Sequence, residues 1–200
     1  LCNPLLWFLQ HYMWNPPYSP NIDASVHDAW QAGYLPVNQA FARAIIEEAR
    51  ESQQPPIVVG HDYHLYLMPE YVRLESPDSI IQHFVHIPWP APRYWQMIPK
   101  YFAQQICSSL CATDLLGFQS PQDRRSFLDT VEEFLPEAHV DHKEWVVNWR
   151  GRRTQIKAYP ISINVADVQR IANSPRALES ESRLAPLCGP STIVRIDRAE

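Results

Sequence analysis

The chain has 200 residues and a formal net charge of −5; 46% of it is hydrophobic and 20% charged. That composition belongs to a folded globular protein with one good core, and the length also fits part of something larger. The acidic balance leaves no electrostatic footprint for nucleic acid, and no apolar run reaches membrane-spanning length. No basic-then-apolar signal segment opens the chain. It starts without Met, inside a helix-like pattern, and so reads as a fragment.

Residues 1–14 read as a helix with Leu5, Leu6, Trp7, Leu9 and Tyr12 on its apolar face, and residues 15–27 as a proline-bearing loop. The longest helical pattern spans 28–50, with a bend expected where Pro36 falls. Pro55-Pro56 punctuates, and a first strand runs from 57 to about 60. A helix comes next over 65–74, then a strand over 80–86. Pro88-Trp89-Pro90-Ala91-Pro92 cannot continue in a sheet and makes a stiff loop. A helix over 94–110, bent near Pro99, precedes a strand at 114–118. Pro121 opens another helix at a position suited to its first turn. Alternating residues on both sides of Arg150-Gly151-Arg152 signal a hairpin, an ornament on the main sheet. A short helix covers 165–172, a Ser- and Pro-rich connection 173–191, and a last strand 192–196. Strand and helix alternate through most of this, which predicts an α/β fold: a Rossmann-like parallel sheet with helices on both faces.

Cys107 and Cys111 lie four apart on one helix face without zinc-finger spacing, and read as small buried thiols in a reducing compartment. Among eight histidines are three His-x-x-His pairs, 61/64, 83/86 and 139/142. On a strand, positions three apart point to opposite faces, which argues against a shared metal ion. No Gly-rich phosphate cradle and no nucleophile elbow occur. What remains is a polar cluster at two strand ends, His61-Asp62-Tyr63-His64-Leu65 and His83-Phe84-Val85-His86-Ile87-Pro88-Trp89-Pro90. Ligands of open α/β sheets sit beyond such carboxyl ends, so His, Asp, Tyr and Trp are expected around one crevice. Asp62 suits sugar hydroxyls and His86 a hydroxyl or carbonyl. The plainer alternatives are a helix N-cap for Asp62 and a loop-rigidifying bond for His86.

An ordered set of blocks carries a resemblance. Leu6-Trp7 with His11-Tyr12, Trp30 with Gly33-Tyr34-Leu35 and Val37-Asn38, His61 to Leu65, His86-Ile87-Pro88-Trp89-Pro90, Asp114-Leu115-Leu116-Gly117-Phe118-Gln119, Tyr159-Pro160-Ile161 and Asp197-Arg198 together resemble the trehalose-6-phosphate synthase family of retaining glycosyltransferases. The resemblance implies the N-terminal half of a GT-B architecture. Residues 1–172 would be the acceptor-side Rossmann-like domain without its opening strands. Residues 173–200 would be a connection and the first strand of a truncated nucleotide-sugar-binding domain. It further implies a cytoplasmic enzyme of trehalose biosynthesis, compatible with homo-oligomerisation, that moves glucose from a nucleotide-glucose to glucose 6-phosphate with no metal and no further cofactor.

Carried over by position, Tyr12 and Trp30 line the acceptor site near its phosphate, and Asp62 holds acceptor hydroxyls. His86 meets the transferred glucose near the reaction centre, with Ile87 beside it shaping the anomer choice. Arg198 matches the arginine on the donor diphosphate, where a planar guanidinium neutralises a leaving group bidentately. The sequence departs from the family pattern in two places: Trp89 stands where Phe is usual, and Trp30 is one residue further from Tyr34. The divergent His-Ile-Pro-Trp-Pro and Tyr-Trp-Gln-Met-Ile-Pro-Lys segments resemble a branch that includes pseudo-glycosyltransferases. This keeps two other readings open: a glycerol 3-phosphate or cyclitol phosphate acceptor, and a non-catalytic sugar-phosphate sensor. These 200 residues alone are expected to be inactive.

Overall fold

The computed structural model describes residues 1–13, 21–51 and 53–196. They divide into two compact units, Leu1–Pro160 and Ile161–Glu200. In the first, a π-type turn at Cys2–Leu6 leads into a single turn, α1 (Trp7–Gln10). α2 (Ala24–Ala29) begins inside the expected loop because Asp23 caps it, accepting the Ser25 N–H at 2.9 Å. A second π-type stretch, Trp30–Tyr34, joins α2 to α3 (Leu35–Glu51). A π-bulge takes up one extra residue within a helix, and this one coincides with the Trp30–Tyr34 spacing. Pro36 follows this π-type stretch directly, as the second residue of α3.

The chain continues through β1 (Ile57–His61), a 3₁₀ turn at Tyr63–Leu65, α4 (Met68–Glu75) and β2 (Ile80–Val85). The expected bend near Pro99 is a full break between α5 (Pro92–Trp95) and α6 (Lys100–Leu110). β3 (Leu115–Phe118) leads to α7 (Pro121–Phe134), capped by Ser120, and then β4 (His139–Asp141), β5 (Val146–Trp149) and β6 (Arg152–Ala158) complete the unit. The sheet order is β1-β2-β3-β6-β5-β4. β1, β2, β3 and β6 run parallel; β5 and β4 extend the sheet antiparallel. The hairpin is therefore no ornament. β6 is the fourth parallel strand, with Ile156 opposite Leu116, and Arg150-Gly151 turn with positive φ at both residues, as a tight hairpin requires.

The strands alternate, so burial falls on one face. Val58, Ile81, Val85, Leu116, Phe118 and Ile156 face the helices, packed with α3 and α4 at the β1 side and with α6 and α7 further across. Cover expected on both faces is met on this one among the described residues. On the other face Ile57 and Val59 are 68% and 57% exposed. Cys107 and Cys111 are free thiols filling the main core, and burial pushes both well above their ordinary pKa.

The second unit holds α8 (Val165–Ala172), capped by Asn164, and α9 (Pro175–Leu184), capped by Ser174. Both leave apolar residues exposed, among them Val168, Ile171 and Leu178. The strand expected at 192–196 does not form. A strand exists through its ladder partner, and no extended segment pairs with it among the described residues of this unit. No helix among the described residues is long and apolar enough to cross a membrane.

One buried charge ties the amino ends of the sheet to the helices. Arg73, 8% exposed, donates to the carbonyls of Ala112, Pro77 and Ser79 and to Asp114 Oδ2 at 2.8 Å. The same Asp114 oxygen accepts the Ile81 N–H at 2.7 Å. Asp114→Ala leaves a buried guanidinium without its counter-ion. It is expected to lower unfolding free energy by about 2–3 kcal/mol in denaturant titration, and an unchanged midpoint would dismiss this pair as a stabilising element.

Candidate active site

The carboxyl ends of β1 and β2 converge on Asp62. Its backbone has φ 63° and ψ 178°, a region that costs a non-glycine residue of order 1–3 kcal/mol. Several bonds hold it there. The Asp62 N–H donates to the Phe84 carbonyl at 2.8 Å, and its own carbonyl accepts from His83 Nε2 at 3.1 Å and from the Leu65 N–H at 3.3 Å. The side chain makes no capping bond to the adjoining turn. It swings across to β2 instead, where Oδ1 accepts the His86 N–H at 3.3 Å. The plainer N-cap reading of Asp62 is thus ruled out by its geometry.

Three histidines surround it, and none of the three His-x-x-His pairs supplies the contact. His61 Nδ1 and His86 Nε2 lie 2.9 Å apart across the two strands. His83 points the other way, into the core. Burial pulls its pKa from 6.5 down to about 4, an effect opposed by the Asp62 carbonyl bond and reinforced by His61 and His86. It is therefore the neutral Nε2–H tautomer, with Nδ1 unpartnered against the backbone of Gly60. A Cβ at residue 60 would stand 2.6 Å from that Nδ1, so glycine there makes room for the ring.

The loop after His86 is clamped rather than open. Asp123, in the first turn of α7, accepts the Trp89 N–H at 2.8 Å and the Ser120 hydroxyl. Trp89 is fully buried against Trp95, Phe118 and Phe127. Tyr63 is likewise buried, so of the four residue types expected around the crevice only Asp and His of these two segments reach its surface. Ile87, next to His86, is buried too. Tyr12, 47% exposed, sits edge-on to Tyr94 with ring centroids 4.7 Å apart, beside the Ala91 backbone and Arg93. That places it at the far end of the same loop. Partial burial pushes its phenol up.

Trp30 is not brought to the crevice. It is wholly buried, stacked on Phe102 at 3.9 Å and bonded through its indole N–H to Gln105, because the π-type stretch turns it into the core. Arg198 lies outside the described residues. Two features elsewhere share no residue with the strand-end cluster. A groove of about 570 Å³ lined by Glu70, Gln104, Ser108, Trp149 and Arg150 lies beside the β5–β6 turn, at the amino ends of the parallel strands; its polar groups are engaged in the Glu70–Arg150 ion pair and the Ser108–Glu70 bond. At the β4 edge Asp129, Glu132 and His142 place ligand atoms within 4.8 Å of one another, with His142 Nε2 3.0 Å from Glu132 Oε1.

The sequence model for glycosyltransferase family 20 matches residues 1–200. The chain belongs to that family. Among its relatives, the validamine 7-phosphate valienyltransferase of Streptomyces hygroscopicus subsp. jinggangensis is 33% identical over 78% of this chain and 31% of that one. A putative alpha,alpha-trehalose-phosphate synthase (UDP-forming) 106 kDa subunit of Schizosaccharomyces pombe is 33% identical over 87% of this chain and 17% of that one. A solved structure described as trehalose-6-phosphate from E. coli bound with UDP-2-fluoro glucose superposes with a TM-score of 0.71 at 27% identity, over 92% of this chain and 38% of that one. The chain thus spans between a sixth and two-fifths of these relatives. The fold is that of the N-terminal domain of trehalose-6-phosphate synthases, a GT-B half.

Two stability measurements probe the site of this family 20 chain. Asp62→Gly relieves the backbone strain and removes the 3.3 Å bond from the His86 N–H, so the unfolding free energy is expected to hold or to rise by about 1 kcal/mol; a loss of more than about 1 kcal/mol would mean that the side-chain bond outweighs the strain. His83 has a folded pKa of about 4, below its ordinary 6.5. Between those values the unfolded chain binds a proton that the native state refuses. Stability is therefore expected to fall by about 3 kcal/mol in total as pH drops through that window, and to level off below it. His83→Gln keeps the donor to the Asp62 carbonyl and should remove this component of the slope in thermal scans; an unchanged slope would assign it to other groups.

Proposed function

We propose that this chain forms the acceptor-side half of a retaining glycosyltransferase that moves glucose from a nucleotide-glucose to glucose 6-phosphate, giving trehalose 6-phosphate. The observation that carries the reading is Asp62: a carboxylate at a strand end, in a backbone conformation suited to glycine, spending its side chain on no helix cap and turned toward His86. Strain of this kind persists where the surroundings over-determine it, as at ligand sites. In this reading Asp62 accepts hydrogen bonds from acceptor hydroxyls and His86 contacts the transferred sugar. Ile87 sets the shape beside it, and Tyr12 approaches the acceptor phosphate. Trp30 is left out of the acceptor wall on account of its burial. Arg198 neutralises the departing diphosphate, and the acceptor hydroxyl attacks on the face from which the diphosphate leaves, with the diphosphate taking the proton. No protein base and no metal ion enter the scheme.

A second reading keeps the reaction and changes the acceptor to a cyclitol phosphate. The similarity to a valienyltransferase named for validamine 7-phosphate favours it. Both readings are tested with a polypeptide of full family length that contains these residues. It is incubated with glucose 6-phosphate or a cyclitol phosphate and each nucleotide-glucose, and the products are weighed by mass spectrometry. Trehalose 6-phosphate formation, reduced at least ~100-fold by His86→Ala and weakened by Asp62→Asn, is the expected outcome. Full turnover and acceptor affinity in Asp62→Asn would remove Asp62 from the acceptor site. Product with a cyclitol phosphate alone would establish the second reading, and no product with any acceptor would refute both.

A further inference from the structure

We propose that His61 is a positioning residue for His86, and that the two imidazoles work as one unit whose shared proton decides whether His86 offers its ligand a donor or an acceptor. The proposal rests on the assignment of His86 to the transferred sugar. His61 ends β1 and His86 lies just past the end of β2, on the open face of the sheet. The parallel register that sets His61 beside Phe84 brings His61 Nδ1 within 2.9 Å of His86 Nε2, with ring centroids 5.1 Å apart and planes inclined by 27°. Phe84 meets the His86 ring at 4.8 Å, near edge-on, and Asp62 takes its backbone N–H. The ring is thus held at its main chain, by a neighbouring ring and at Nε2. Nδ1 is the ring nitrogen that none of these contacts uses.

A neutral imidazole has one N–H and one lone pair. A hydrogen bond between His61 Nδ1 and His86 Nε2 therefore permits two arrangements only. If His61 Nδ1 donates, His86 must carry its proton on Nδ1 and present a donor. If His86 Nε2 donates, His61 must carry its proton on Nε2, and His86 Nδ1 presents a lone pair. The two rings always share a tautomer. Passing from the first arrangement to the second moves one proton from His61 to His86 across the bond, releases one from His86 Nδ1 to the ligand or water, and takes one from water at His61 Nε2. Net charge is unchanged. The same site can then meet a sugar hydroxyl as acceptor and an ether or phosphate ester oxygen as donor, with no charge left on an open sheet face. The tautomer of a histidine is set by the bond its other nitrogen makes, and here that bond comes from His61.

The test begins with the 200-residue chain carrying ¹⁵N-labelled histidine. Long-range ¹H–¹⁵N spectra are recorded at about pH 8.5, two units above the ordinary imidazole value, with His83 as the internal Nε2–H reference. His61 and His86 are expected to report one and the same tautomer. His61→Leu should shift the His86 nitrogens toward the mixed tautomer of a free ring, and His61→Asn, whose amide can both donate and accept, should hold them. In the full-length polypeptide, His61→Leu is expected to lower kcat roughly ten-fold with KM changed less than about two-fold, and His61→Asn to recover most of it. Different tautomers on the two rings, or a His86 spectrum indifferent to His61→Leu, would overturn the pairing. Paired spectra with unchanged kcat in His61→Leu would overturn the positioning role. No turnover by the unsubstituted protein would sink the glycosyltransfer reading, and with it the catalytic use of the pair, while the spectra still decide whether the pair exists.

Discussion

The site depends on one buried amide. Asn38 is fully buried on α3, and its side chain fills all its hydrogen-bonding positions. Its Nδ2 donates to the carbonyls of Tyr34 at 2.9 Å and His64 at 3.0 Å, and its Oδ1 accepts the N–H groups of Leu67 and Met68 at 3.0 and 2.9 Å. Those two N–H groups open α4 and have no partner within that helix. One side chain therefore caps α4, pins the turn just after Asp62, and joins both to α3. The Tyr34 hydroxyl adds a bond to the Tyr63 carbonyl at 2.5 Å. Within a low-dielectric core each of these bonds is stronger than in water, and each would be expensive to leave unmade.

Asp62 can adopt a conformation meant for glycine because the backbone on either side of it is fixed in this way. Strand pairing fixes its N–H, the buried His83 fixes its carbonyl, and Asn38 fixes residues 64 to 68 beyond it. The strain turns the carboxylate out of the capping geometry and toward β2. The histidines around it divide their work by direction. His61 points to the open face and pairs with His86, whereas His83, the register partner of Gly60, faces inward and supports the Asp62 carbonyl from beneath. The proline-rich loop beyond His86 is held by a similar economy of parts: Asp123 binds its backbone while Trp89 anchors it in the core. A stiff loop over a stiff turn gives ligand-contacting groups little freedom to lose on binding.

One face of the sheet is buried under α3, α4, α6 and α7, while the face bearing His61, Phe84 and His86 is open around exposed Ile57 and Val59. The catalytic reading uses groups on that open side and at the strand ends. The buried side carries what stabilises them, including the Arg73–Asp114 pair at the opposite end of the strands.

Much of this was legible in the residues. Apolar runs ending in polar residues identified β1, β2 and β3, and Pro121 marked the start of α7, because local sterics act within a few residues. The ordered blocks from Leu6 to Arg198 also identified the family. What lay out of reach was every relation across sequence distance. Alternation revealed the β5–β6 hairpin but not that β6 is a parallel neighbour of β3, since pairing partners are chosen by the whole sheet. The spacing of the histidines suggested pairs three apart, whereas parallel register joined residues 61 and 86. An aromatic at position 30 or 89 reads alike as binding wall or core, and only packing sent both Trp30 and Trp89 inward. The apolar run at 192–196 carried strand propensity without a partner, and propensity alone makes no strand. Composition and short-range sterics determined the elements; long-range pairing and burial decided which of their side chains met at Asp62.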